Sequence, residues 1–302
     1  MNLFSCSHLT KQYSNGAFTL NDISLELRTG EITGVVGENG NGKTTLLRII
    51  AGDLAHDTGN LNYFGNNQVD VLSWDHIHSR IAYIPQRIPQ WYGVLRANLV
   101  FQASIRGIKG RQADIMVDEL LENLGLAEYA NLRWKEISTG YRLRFQLAKM
   151  LLINPELLVL DEPIANLDIN AQGKFLSDLR NIVSEKKRNV SVILSSQQLH
   201  EIENVSDSIV FLKKGEMIYS GAVSKIGDKR EDNEFEIHTT LEESVLKSLF
   251  QNAPITKIGK TYHIKVPLNV SSEQFLQEII KKDGKILYFR DISSSTRRLF
   301  ND

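Results

Sequence analysis

Val35-Val36-Gly37-Glu38-Asn39-Gly40-Asn41-Gly42-Lys43-Thr44-Thr45-Leu46-Leu47 reads as a β-strand that breaks into a glycine loop and restarts as a helix. Gly37, four residues and then Gly42-Lys43-Thr44 form the pattern of a phosphate-binding P-loop. Each residue type has a physical role. Gly37, Gly40 and Gly42 let the backbone take positive φ and approach an anion with no Cβ in the way. Successive N–H groups then form an anion nest, to which the new helix adds the positive end of its dipole. Lys43 places a cation on phosphate oxygens, and the Thr44 hydroxyl is suited to a divalent cation. The β-branched run before the loop (Ile32 to Val36) and the amphipathic run after it (Leu46, Leu47, Ile49, Ile50) supply the strand and the helix that the pattern requires.

The stretches on either side extend this into a layered α/β arrangement. Upstream, Leu3 to Leu9, Phe18 to Leu20 and Ile23 to Leu27 are short β-rich pieces with turns at Asn15-Gly16 and Thr29-Gly30, which predict an antiparallel β-region. Downstream come a strand over Asn60 to Phe64 and a buried strand Ile81 to Ile84 that ends at Pro85-Gln86. From about 91 to 153 the period turns helical, over Val94 to Ile105, Ile115 to Leu124 and Gly140 to Leu152. Leu157-Leu158-Val159-Leu160 is fully apolar, as in a parallel sheet covered on both faces, and it ends in Asp161-Glu162. A helix (Ile169 to Ser184), a strand (Val190 to Leu194), a short helix (Gln198 to Val205) and a strand (Ser208 to Leu212) follow. Such alternation predicts a doubly wound sheet with its ligand at the carboxyl ends of the strands, where Gly37, Gln86, Asp161 and Gln197 stand.

A charged stretch poor in apolar residues, Lys229-Arg230-Glu231-Asp232, marks a linker at 226–233 and closes a first domain at about 225. Residues 234–302 then read strand, helix, hairpin about Gly259-Lys260, helix and strand. This βαββαβ order is that of a small ferredoxin-like α+β domain, in which no catalytic cluster appears. The tail Ser293-Ser294-Ser295-Thr296-Arg297-Arg298 offers capping residues for a short last helix or a frayed end.

Composition narrows the class. The chain has 302 residues, long for one domain and ordinary for a large plus a small one. Its 35 lysines and arginines nearly cancel 36 aspartates and glutamates, so overall charge does not direct it to nucleic acid. A single cysteine, Cys6, cannot pair within the chain and fits a reducing compartment. Met1-Asn2-Leu3-Phe4-Ser5 lacks the basic-then-apolar order of a secretory signal, and no apolar run approaches the ~18 residues of a membrane span. Any membrane role is expected to pass through a partner.

The carboxylate pair is the second chemical signal. Asp161 suits a contact to Mg²⁺, and Glu162 suits a general base for an attacking water; alone, such a pair before Pro163 also serves as a helix cap. The third is Glu136-Ile137-Ser138-Thr139-Gly140-Tyr141-Arg142, which puts Ser138 and Gly140 at a helix N-terminus shortly before the Asp161 strand. With these three in order, residues 1 to about 225 resemble the ATP-binding subunits of ABC transporters, a P-loop NTPase core with an antiparallel β-region and a helical insert. The P-loop corresponds to Gly37 through Thr45, with Asn39, Gly40, Asn41, Gly42, Lys43 and Thr44 on the nucleotide. The Q-loop corresponds to Gln86, the signature loop to Ile137–Tyr141, the metal-binding strand end to Asp161-Glu162, and the D-loop to Ala165-Asn166-Leu167-Asp168. Tyr13 corresponds to the adenine-stacking aromatic, although edge packing is an equal reading of its position.

The resemblance implies ATP and Mg²⁺ as ligands, with the metal near Thr44, Gln86 and Asp161 and the catalysis on Glu162, Gln86 and Gln197. It also implies a second ATP-binding subunit, identical or related, whose P-loop faces Ser138 and Gly140, and a membrane permease that holds the subunit at the inner face of the cell membrane. Neither nucleic acid nor direct membrane insertion is expected. Two departures stand out. The signature carries Thr139 and Tyr141 in place of the family's glycine and glutamine, a variant similar to that of separate-chain exporter subunits. Gln197 replaces the histidine that contacts the γ-phosphate, and glutamine cannot be protonated; His200 lies one helical turn further on. An exporter ATPase is therefore expected, with a slowly hydrolysing or non-hydrolytic nucleotide-gated module as the alternative. Trp91-Tyr92 is expected either to meet the permease or to pack the helical insert on the sheet.

Overall fold

The computed structural model describes residues 2–13, 18–65, 74–185, 189–197, 199–225, 232–251 and 253–293, which divide into two compact units, Met1–Gly221 and Ala222–Asp302. In the first unit, a six-stranded sheet carries the layered core. Its strands are β3 (Ile32–Val36), β5 (Ile81–Ile84), β6 (Leu157–Leu160), β7 (Ser191–Ser196), β8 (Ser208–Lys213) and β9 (Glu216–Ala222), in the spatial order β5-β6-β7-β3-β8-β9. From β5 through β8 every neighbouring pair is parallel. Burial explains the sequence of these strands: β3, β6 and β7 are buried at every position, so they tolerate almost no charge. The β8–β9 hairpin turns on Lys214-Gly215, both at positive φ, the geometry that a two-residue turn needs to follow the strand twist.

A separate three-stranded antiparallel sheet is built from β1 (Asn2–Gln12), β2 (Phe18–Arg28) and β4 (Thr58–Tyr63), in the order β2-β1-β4. The two pieces expected at 18–20 and 23–27 are one strand. Register shifts between β1 and β2 let it pass the polar Asn21-Asp22 with Asp22 in the left-handed region. Its apolar residues Leu20, Ile23, Leu25 and Leu27 share one core with Leu46, Leu47, Ile49 and Ile50 of helix α1 (Lys43–Ile50). Helix α1 is thus clamped between the two sheets, which fixes the loop at its N-terminus. Helices α2 (Trp74–Arg80), α3 (Leu95–Ile105), α4 (Arg111–Asn123), α5 (Thr139–Leu151), α6 (Ile169–Ser184) and α7 (Leu199–Glu203) complete the unit, with α3, α4 and α5 forming the helical insert between β5 and β6.

The second unit holds β10 (Asp232–Thr239), α8 (Glu243–Leu249), β11 (Ile255–Ile258), β12 (Thr261–Pro267), α9 (Ser272–Lys281) and β13 (Ile286–Asp291). Its four strands are antiparallel in the order β11-β12-β10-β13, so β12 is inserted between the two strands that α8 joins. Phe235, Phe250 and Phe275 centre its core, with ring centroids of Phe250 and Phe275 4.5 Å apart and stacked. Of the expected linker, 226–231 lie outside the described residues, while Asp232 and Asn233 already belong to β10. The tail from 294 onward also lies outside them.

Candidate functional site

Four strand ends meet around Glu162. Parallel pairing of β5 with β6, β6 with β7 and β7 with β3 brings the residues that follow those strands to one edge of the sheet. Gln86, Asp161, Glu162, Gln197 and the glycine loop arrive there from four separate stretches of the sequence.

The loop is shaped by three glycines used in two ways. Gly40 and Gly42 have φ of 83° and 97°, which an L side chain rarely adopts. Gly37 does not take positive φ, contrary to the expectation; a Cβ there would stand 2.4 Å from the carbonyl oxygen of Leu212, so it is needed for close approach to β8. The buried Asn41 locks the other side of the loop: its amide nitrogen donates to the Leu212 carbonyl at 3.1 Å, and its oxygen accepts from the N–H of Lys214 at 3.0 Å. Asn39 and Gly40 are exposed at the tip.

Lys43 is buried, and its ammonium donates to the carbonyls of Gly37 (2.7 Å) and Glu38 (3.0 Å) while lying 3.1 Å from Glu162 Oε1. The other oxygen of Glu162, Oε2, accepts from the amides of Gln86 (3.0 Å) and Gln197 (2.8 Å). Thr44 donates its hydroxyl to Asp161 Oδ1 at 3.1 Å, tying the glycine loop directly to the carboxylate turn. Ser195, fully buried in β7, was not singled out from the sequence, yet it holds this turn twice. Its Oγ donates to Asp161 Oδ1 and accepts from the Glu162 N–H, both at 2.9 Å. Glu162 is itself at φ 44°, an uncommon conformation for a residue with a side chain, and the Ser195 bond helps retain it.

Burial pushes the Asp161 carboxyl above its ordinary range, against the bonds from Ser195 and Thr44 that favour the anion. A cation beside it would reverse that direction. The donors present are a hydroxyl, a carboxylate and an amide oxygen, which suit a hard cation such as Mg²⁺. Among the described residues there is no cluster of three His, Cys, Asp or Glu that could hold a metal ion. Tyr83 on β5 is a further neighbour; burial and then the Asp161 charge hold its phenol in the neutral form.

Tyr13 is 39% exposed, and its hydroxyl lies 3.4 Å from Thr45 Oγ1, placing an accessible aromatic beside the first turn of α1. His200 is exposed on α7. Trp91 does not form an exposed surface with Tyr92: it stacks on Trp134 at 5.2 Å and donates to Gln146 at 3.1 Å, while Tyr92 is 83% exposed. The signature loop forms a second, separate locus. Ser138 caps α5 by accepting from the Tyr141 N–H, and Tyr141 is pinned in turn by its hydroxyl bond to Tyr129 at 2.7 Å. A side chain at Gly140 would meet the Cβ of Ala171 on α6 at 3.1 Å. Among the described residues, no hydrogen bond or ion pair links this loop to Lys43, Thr44 or Glu162 of the same chain.

A family model described as ABC transporter matches residues 20–165. The chain is 28% identical to the uncharacterized ABC transporter ATP-binding protein YxlF of Bacillus subtilis over 302 residues, covering 99% of this chain and 98% of that one. It is 31% identical over 220 residues to the bacitracin transport ATP-binding protein BcrA of Bacillus licheniformis, covering 72% and 68% of the two. The molybdate/tungstate import ATP-binding protein WtpC of Pyrococcus abyssi is 27% identical over 293 residues, with 97% and 82% covered. Among solved structures, cbiO1 of Clostridium perfringens, described as part of the ABC transporter complex cbiONQ, superposes with a TM-score of 0.69. It is 22% identical, and the match covers 76% of this chain and 91% of that one.

Proposed function

The chain belongs to the ABC transporter family as an ATP-binding, ATP-hydrolysing subunit, and on that premise we propose that it closes on Mg²⁺-ATP as a dimer to drive a separate membrane permease. The observation that carries this reading is the Thr44–Asp161 bond, together with the Lys43–Glu162 pair: phosphate-binding and water-activating groups share one cluster, buried at Lys43, Asp161 and Glu162. In our assignment, the N–H groups and side chains of Gly37 through Thr45, Lys43 foremost, hold the phosphates, and Tyr13 stacks the base. Thr44, Asp161 and Gln86 would hold Mg²⁺, which supplies charge to the transferring phosphoryl group when bound.

Glu162 is the general base. As it accepts a proton from water, the water oxygen bonds the γ-phosphorus. The bond from that phosphorus to the β–γ bridging oxygen breaks, its electron pair leaving with ADP. Ser138 is exposed and Gly140 half-buried at the α5 N-terminus, both unattached to the chain's own cluster, which supports their serving the phosphates of a second subunit. A permease supplies the membrane part: no helix among the described residues is long and apolar enough to cross a bilayer. This would hold the subunit at the cytoplasmic face. The direction proposed is outward, on the Thr139 and Tyr141 variant of the signature; cargo driven out of inverted vesicles rather than into them would reverse it.

The test is phosphate release by the full-length protein with its permease. Glu162→Gln is expected to lower turnover by ~10²–10⁴-fold while ATP binding persists. A rate insensitive to this change would remove Glu162 from the chemistry and leave the site a binding module.

A further inference from the structure

We propose that Tyr141 is a positioning residue for Ser138, clamped by Tyr129 so that the signature loop already has its shape when a second subunit brings its nucleotide. This rests on the shared-site reading above and goes beyond it by giving a role to the side chain that stands where the family has glutamine. Tyr141 donates its hydroxyl to that of Tyr129 at 2.7 Å, and the two rings lie 4.0 Å apart, tilted by 34°. Both tyrosines are half-buried. The guanidinium of Arg144, itself bonded to Asp178 at 2.7 Å, stands 5.8 Å over the Tyr141 ring, within cation–π range.

Tyr129 is a fixed point. It ends the single helical turn Ala127–Tyr129, and the chain just beyond it accepts two backbone bonds from α3, from the N–H of Arg96 to Ala130 and from that of Leu95 to Leu132, both at 2.9 Å. Tyr141 lies in the first turn of α5, and its own N–H is the group that donates to Ser138 Oγ, at a long 3.4 Å. With its ring stacked and its one O–H spent on Tyr129, Tyr141 has no side-chain proton left with which to hold an anion itself. What the clamp fixes is the turn that carries Ser138. Without it, that turn would have to be ordered at the moment of association, which weakens binding.

The experiment follows ATP-dependent dimerisation of the full-length protein by sedimentation in the Glu162→Gln background, for Tyr129→Phe, Tyr141→Phe and the two together. ATP affinity of the monomer and melting temperature are measured alongside. Phenylalanine keeps both rings, so the variants remove the hydroxyl bond and little else. Each single change is expected to weaken dimerisation by ~2–10-fold per site, the effect of ordering about one side chain on association, with monomer affinity for ATP unchanged. The double variant is expected to lose no more than either single one, because the same bond is already gone. Tyr141→Gln, which restores the family's residue but supplies no ring, is expected to dimerise no better than Tyr141→Phe. With Ser138→Ala already present, Tyr141→Phe is expected to add less than about twofold, since it acts through Ser138. Weakening by Tyr141→Phe but not by Tyr129→Phe would show Tyr141 touching the nucleotide or the partner directly and overturn the proposal. So would a Tyr141→Gln protein that dimerises like its parent, or phenylalanine variants that melt lower yet dimerise unchanged. A Glu162→Gln protein that binds ATP and stays monomeric would overturn the shared-site reading instead, so the two failures are separable.

Discussion

The two loci that carry the chemistry are built in opposite ways. Around Glu162 the charged groups are buried and paired within the chain: Lys43 is 4% exposed and Glu162 is 7% exposed, with Ser195 beneath them and the amides of the exposed Gln86 and Gln197 closing the network. At Ser138 and Thr139 the helix N-terminus is open to solvent, and a single side-chain bond at 3.4 Å serves as its cap. A cluster that satisfies itself is part of the fold, and disturbing it should cost stability as well as function. An open helix N-terminus is available to an anion brought by another molecule, and disturbing it should cost function far more than stability.

The largest effect expected from this contrast comes from Lys43→Met. Removing one member of a buried pair strands the other charge, although the amides of Gln86 and Gln197 remain on Glu162. The loss should fall near the lower end of the usual range, at ~3 kcal/mol, along with loss of ATP binding. For a domain of this size that corresponds to a drop of about 6–12 °C in melting temperature, read by thermal denaturation without nucleotide. The double variant Lys43→Met, Glu162→Gln should regain most of the stability and none of the binding. If the double variant melts with the single one, the pair does not hold the turn.

Ser138→Ala tests the other locus and should spare the fold. Its melting temperature is expected to fall by only about 1–4 °C, as for a weak helix cap worth ~0.5–1 kcal/mol, and ATP should bind the isolated chain with the same affinity. ATP-dependent dimerisation, followed by sedimentation in the Glu162→Gln background, should weaken by ~10–100-fold, as for one hydrogen bond to a charged group. Loss of ATP affinity in the monomer would mean that Ser138 serves its own chain's nucleotide and would dissolve the distinction between the loci.

The contrast was only half legible in the sequence. Glycine spacing, the apolar run Leu157 to Leu160 and the Asp161-Glu162 ending are local patterns with local causes, so the core of the fold could be read from them. What a side chain does for a residue tens of positions away leaves no such pattern. Ser195 and Ser196 read as the polar end of a strand, and nothing local showed that Ser195 supports both Asp161 and the Glu162 backbone. Gly37 shows the same limit: its neighbour is Leu212, brought up by pairing of β3 with β8, and no count of residues within the loop reveals it. Trp91 was open to two readings because an aromatic after a loop can face a partner or a core; Trp134 and Gln146 supply the core. Helix α2 and strand β9 went unread, the first because it spans 7 residues and the second because its positions are exposed or only half-buried.

The smallest effect is expected from removing the second unit. Its core is its own: Phe235, Phe250 and Phe275 close on one another and on Ile237, Ile264 and Ile279, and none of these residues belongs to the core that clamps helix α1. The groups assigned to phosphate, metal and water all lie in the first unit, and among the described residues β10 to β13 form a sheet of their own. A chain ending before Asp232, the start of β10, should therefore bind ATP within about twofold of the full-length protein, the margin within which independent sites add. Its turnover without permease should follow. A larger loss of ATP affinity, measured by equilibrium titration, would mean that the appended unit supports the Lys43–Glu162 cluster, and that the cluster does not satisfy itself after all.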